Sequence, residues 1–138
     1  MNTSRRELTM LLTAAAGAMA QTAPALPSKL YKFEDLTVRQ NGENRQRSVL
    51  KGKTHKGVNL AVHQTELAPG LAPHGPHHHV HEEMIFLREG TLEVTISGQS
   101  QKLGPGSVVY VASNEEHGWK NVGDTQAHYF VLAIGQES

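Results

Sequence analysis

Apolar residues in this chain come in short runs separated by turn signals. Leu92, Val94 and Ile96 alternate with Glu93 and Thr95, the period of two that marks a half-buried strand. Val58 to Leu67 and His128 to Ile134 read as longer strands, and Arg47 to Lys51 as a short one. Leu30 to Arg39 has strand character interrupted by Glu34-Asp35. Met84 to Arg88 is apolar at consecutive positions, which implies burial on both faces. In that run Glu83, Ile85 and Leu87 share one face, while Met84 and Phe86 point outward, toward another sheet or a partner subunit. Asn41-Gly42, Gly52 to Gly57, Pro69-Gly70, Glu89-Gly90, Ser97-Gly98-Gln99 and Leu103 to Gly106 are turns or loops. With no convincing helix and no internal repeat, the pattern predicts a single all-β domain, a sandwich or a barrel.

The pattern changes at the N-terminus. Arg5-Arg6 precedes an apolar stretch, Leu8 to Ala20, that ends in the small-x-small sequence Ala18-Met19-Ala20. This reads as an export signal, too short to span a membrane. Ser4-Arg5-Arg6 resembles the twin-arginine variety, with Leu8 where Phe is usual; an ordinary secretory signal is the alternative. The twin-arginine route carries folded proteins, so a metal could be loaded before export. Residues 1–20 are thus expected to be a signal peptide cleaved near Ala20, residues 21–36 a leader with a possible N-terminal strand, and residues 37–138 the domain. The expected location is periplasmic or secreted. With no Cys after the apolar run there is no lipid anchor, so no membrane anchor is expected after cleavage.

Composition excludes more than it selects. Lys+Arg and Asp+Glu both number 13, so the basic footprint of a nucleic-acid binder is missing. The chain has no cysteine, which rules out disulfides and thiolate metal sites. What stands out is histidine: five of nine fall between His74 and His81, next to Glu82 and Glu83. Imidazole is the commonest ligand for Zn, Fe, Cu and Ni, and an adjoining carboxylate suits Mn and Fe. On an extended strand His77 and His79 point the same way, and Glu83 joins them by parity or after a turn. Such a set leaves coordination positions open for water, substrate or dioxygen. A further ligand must come from His55, His63, His117 or His128. His117 stands out because it sits in the turn-like run Ala112 to Gly118, straight after the apolar strand Val108 to Val111.

These residues resemble the two motifs of the cupin superfamily, as in its small single-domain bacterial members. The first runs Gly, His-x-His, three or four residues, Glu, six residues, Gly. Here it is His77-x-His79, three residues, Glu83, six residues, Gly90. The second is matched by Gly106, five residues, Ala112-x-Asn114-x-x-His117, three residues, Asn121. The departures are Gly70, one place early for the leading Gly, Ala112 for Pro, and Asn114 for Gly. Asn tolerates the left-handed backbone that Gly would supply there, so the second turn is expected to survive. The resemblance implies a double-stranded β-helix, a jelly-roll barrel. It also implies that His77, His79, Glu83 and His117 hold one divalent metal ion, with Mn or Fe favoured and Zn or Ni the other options. Small cupins commonly dimerise. Residues 29 to 50 are the expected contact of a homodimer, or else they only cover their own barrel.

Trp119 shares the parity of His117, so it is a candidate pocket residue, as are Ile85 and His63. Arg47 and Arg88 are possible anion binders that nothing in the sequence singles out. His81 is expected at the rim of the site and His74 at its mouth or in solvent. The leading functional expectation is an exported metalloenzyme, dioxygenase-like, acting on a small oxygenated organic molecule; an isomerase or lyase is possible on the same site. The alternatives are a non-catalytic metal- or ligand-binding cupin and a metal scavenger using the whole His74–His81 cluster.

Overall fold

The computed structural model describes Gly17 and residues 23–136. The expected signal peptide and its cleavage point lie outside the described residues, Gly17 apart. A 3-10 turn at Phe33–Asp35 is followed by nine strands: β1 (Val38–Asn41), β2 (Asn44–Lys53), β3 (Asn59–Leu67), β4 (Glu82–Glu89), β5 (Leu92–Ile96), β6 (Gln99–Leu103), β7 (Val108–Val111), β8 (His117–Asn121) and β9 (Ala127–Ile134). They form two antiparallel sheets, a six-stranded one ordered β1-β2-β3-β9-β4-β7 and a three-stranded one ordered β6-β5-β8. The chain is all-β, as the spacing of its apolar runs implies, and its two packed sheets make the jelly roll that the resemblance implies.

The core is the space between the two sheets. Alternate residues of the large sheet (Leu67, Ile85, Leu87, Val109, Val111, Tyr129, Val131) meet Leu92, Val94 and Trp119 of the small one. Register fixes which side chains face inward. Ile85 lies opposite both Val109 and Val131, and Val131 lies opposite His63; one rung further, Glu83 lies opposite Val111 and Ala133. A carboxylate is thereby carried into a largely apolar interior by the same alternation that buries Ile85 and Leu87.

Several turns explain their residues. Gly90 has φ 87°, and a Cβ there would sit 2.7 Å from the Ala127 Cα, so only glycine fits. Asn114 has φ 62°, the left-handed backbone expected of it in the second turn. Asn121 is fully buried. Its amide donates to the Leu67 and Thr125 carbonyls, both at 2.8 Å, and its Oδ1 accepts the Gly123 N–H at 3.0 Å.

Four sequence expectations are corrected. Gln99–Leu103, expected to hold only the end of one turn and the start of the next, is strand β6. Its residues are polar because it is an exposed edge, recruited by pairing with Leu92–Ile96 through the Ser97-Gly98 turn. The interruption at Glu34-Asp35 is a 3-10 turn, and the strand begins only at Val38. β4 is sealed on one face, not two: Ile85 is 1% exposed and Phe86 40%. Finally, His117 opens strand β8 and does not sit within the turn.

Asn121→Ala leaves two carbonyls and an N–H without their partner in a buried place. It should lower the free energy of unfolding by about 2–4 kcal/mol in urea titrations. A loss below about 1 kcal/mol would show that the amide is not a clasp.

Candidate metal centre

The histidine segment is not a regular strand. It touches the barrel through one isolated bridge, in which the His77 N–H donates to the His117 carbonyl at 3.0 Å and the His117 N–H returns to the His77 carbonyl at 2.9 Å. A second tie runs from the Asn114 N–H to the His79 carbonyl, 2.7 Å. Gly118 makes the approach possible: a Cβ there would lie 3.3 Å from Pro76 Cα. The chain then bends at Val80-His81 and enters β4, which returns Glu83 to the same place.

The two motifs therefore converge. The ligand nitrogens of His77, His79 and His117 lie within 4.8 Å of one another. Glu83 Oε2 is 3.3 Å from His79 Nε2, and its Oε1 is 3.8 Å from His117 Nε2. His79 Nδ1 lies 2.8 Å from the His81 carbonyl and His117 Nδ1 2.8 Å from the Glu115 carbonyl. A ring nitrogen facing a carbonyl must carry the proton, so both Nε2 atoms present lone pairs to the centre. Nε2 of all three histidines and Oε1 of Glu83 are buried and make no hydrogen bond. Such atoms are rare in a folded interior, and buried imidazole nitrogens beside a carboxylate oxygen suit a divalent cation. The cluster could hold a metal ion with three nitrogens and one oxygen.

The other histidines divide into those that touch the cluster and those that do not. His74 stacks on His77 with ring centroids 4.0 Å apart and meets Trp119 edge-on, so it belongs to the mouth of the site. His81 stacks on His79 at 3.6 Å, and its Nε2 is 3.6 Å from Glu83 Oε2. It can thus also join His79 and Glu83 in a ligand group. His78 is exposed, as is His55 in its turn. His128 is occupied by Gln64, 2.9 Å away, on the far side of the sheet.

A cavity of about 510 Å³ opens onto Glu83. His63 and Trp119 line it, with Tyr129, Thr65 and Val131. Ile85 is sealed in the core and is not part of the wall. Residues that sequence reasoning missed extend the same wall: Arg39, Asn41, Asn44 and Gln46 from the β1–β2 hairpin. No local signal could have found them, since a polar hairpin around Asn41-Gly42 looks like any solvated turn. Residues 38–53 do cover their own barrel through pairing of β2 with β3.

A cupin-domain model matches residues 63–134, and the chain belongs to the cupin family. Comparison with curated proteins gives no match. Among solved structures it is similar to a predicted oxalate decarboxylase from Thermotoga maritima, at 20% identity and TM-score 0.69, covering 78% of this chain and 100% of that one. It is also similar to the polyketide cyclase RemF from Streptomyces resistomycificus, at 20% identity and TM-score 0.65, over 80% and 82% of the two chains. An RmlC-like cupin from Shewanella frigidimarina matches at 19% identity and TM-score 0.65, over 79% and 93%. At these identities the likeness is one of fold.

Burial, and then the neighbouring imidazoles led by His74, pull His77 down to about 4 from its ordinary 6.5. Burial also lowers His63, against the opposing pull of Glu83, and lowers His128. Between pH 6.5 and about 4 the folded chain holds His77 neutral while the unfolded chain protonates it. Unfolding then takes up protons, so this contribution is complete above pH 6.5 and is lost as the pH falls. The urea midpoint of chelator-treated protein should drop between pH 7 and 4.5, and less steeply in His77→Gln. Equal slopes for the two proteins would contradict this.

Proposed function

We propose that this chain is an exported metalloenzyme, an oxidoreductase of the dioxygenase type that acts on a small oxygenated organic molecule. The observation that carries the reading is the set of four buried, unpartnered ligand atoms, one of whose residues, Glu83, lines a ligand-sized cavity. In this reading His77, His79, Glu83 and His117 hold one divalent ion, with Mn or Fe preferred over Zn or Ni for a set that mixes imidazole and carboxylate. When bound, that ion would supply Lewis acidity and, if redox-active, access to dioxygen. The chain's own residues do the rest. The Nδ1 bonds of His79 and His117 hold their rings in one orientation. Trp119 lies nearly parallel to the His117 ring, centroids 6.0 Å apart, and packs edge-on against Tyr129 at 5.8 Å. Together they give a substrate a flat wall and exclude water. Tyr129 is pushed up to about 12 by burial, so its hydroxyl keeps its proton.

The structural relatives include proteins described as a predicted oxalate decarboxylase and a polyketide cyclase, both names that imply oxygen-rich organic molecules. At 20% identity they support the fold and leave both substrate and reaction to the site, since one fold hosts many chemistries. Export and association of two copies belong to the same proposal. Leu30, Phe33 and Val38 are 90%, 44% and 46% exposed, which supports a contact within residues 29–50.

Protein made in its own exporting host and purified without a nickel step should carry one Mn or Fe per chain. It should consume oxygen with a phenolic or 1,2-dicarbonyl compound. Glu83→Gln should weaken metal retention by about 100-fold, at the upper end of what even supporting residues of metal sites cost, and should abolish uptake. Retention unchanged in Glu83→Gln refutes the ligand set. One metal without turnover on any such compound would favour a binding protein, and several labile metals per chain a scavenger.

A further inference from the structure

We propose that Arg39 selects the substrate, and that the substrate is an elongated anion: oxygens that chelate the metal at one end, a carboxylate at the other. The inference rests on the metal-site reading above and adds the ligand's charge and length.

Four arginines fall among the described residues. Arg45 and Arg47 both reach Glu66, at 3.6 and 3.0 Å, and Arg47 also lies over the Phe33 ring; Arg88 reaches Glu89 at 3.5 Å. Arg39 alone pairs with no carboxylate among the described residues. Its position is set by register. Leu87 lies opposite Tyr129, Tyr129 opposite Thr65, Thr65 opposite Gln46, and Gln46 opposite Arg39. Neighbours directly across a sheet share a face. Leu87 and Tyr129 are core residues, so Arg39 ends the rung on the inner side, where it lines the cavity with Thr65 and Tyr129.

Charge points the same way. Glu83 is the only acid lining the cavity, and Arg39 and Arg45 are its cations. A divalent ion beside one carboxylate leaves a positive floor, and Arg39 adds a positive rim. Arg39 is exposed, so water meets its guanidinium until a ligand does, and a carboxylate would meet it with two parallel, charge-assisted hydrogen bonds. Length follows from topology. Arg39 is on β1 and Glu83 on β4, with β2, β3 and β9 between them in the sheet. A ligand that touches both must cross the cavity, so a two-carbon diacid held at the metal would leave Arg39 unmet.

The test compares two probes with the same chelating head. 2-Oxoadipate carries a distal carboxylate; 2-oxohexanoate ends in a methyl group. Each is titrated calorimetrically into Mn-loaded protein, after Mn stoichiometry has been measured on the same sample. Wild type should bind 2-oxoadipate about tenfold more tightly than 2-oxohexanoate, the low end of what a hydrogen bond to a charged group contributes. Arg39→Gln should erase that preference while leaving 2-oxohexanoate affinity unchanged, and Arg39→Lys should restore part of it. Arg88→Gln, remote from the cavity, should behave as wild type. Mn bound at one per chain with equal affinity for the two acids, or with a preference that survives Arg39→Gln, overturns this proposal and leaves the metal site standing. Failure to retain Mn overturns both.

Discussion

Everything in the site depends on two main-chain hydrogen bonds. The reciprocal pair between His77 and His117 is the only bridge by which the irregular histidine segment is stitched to a strand among the described residues. It joins motifs about forty positions apart and sets their rings at a centroid distance of 4.9 Å. Backbone groups can do this where side chains could not, because a hydrogen bond between peptide units fixes distance and direction together. Gly118, next to His117, keeps Pro76 close, since a Cβ there would lie 3.3 Å from the Pro76 Cα.

Around this pair the molecule shows two kinds of interior. At Asn121 every polar atom is matched, and the amide ties three stretches of chain together. At the site the reverse holds: buried ring nitrogens and a carboxylate oxygen lie close together without a hydrogen-bond partner. Four other imidazoles crowd His77, and burial first and then their proximity hold it below its ordinary range. A protein gives up this much internal bonding where function requires it. An ion at that point would satisfy all four atoms together.

The grouping of His77, His79, Glu83 and His117 was legible because they match two cupin motifs, and the structure brings their side chains together, although the histidine segment is irregular and not the alternating strand its sequence suggests. Asn114 could be trusted in a glycine's place because its left-handed backbone is a property of the residue itself. Other features depend on partners distant in the chain. Gln99–Leu103 is polar and becomes a strand only because β5 lies beside it. Ile85 has the parity of Glu83 yet is sealed by the small sheet. Arg39 faces the cavity through a register relayed across β2 and β3 from the core, which nothing in residues 38–41 announces.

The most direct measurement is anomalous diffraction from crystals soaked with Mn, collected at wavelengths that identify the ion. The account predicts one dominant peak per chain, within coordination distance of Nε2 of His77, His79 and His117 and of a carboxylate oxygen of Glu83. A peak held instead by His74, His78 and His81, or no ordered ion at all, would contradict it.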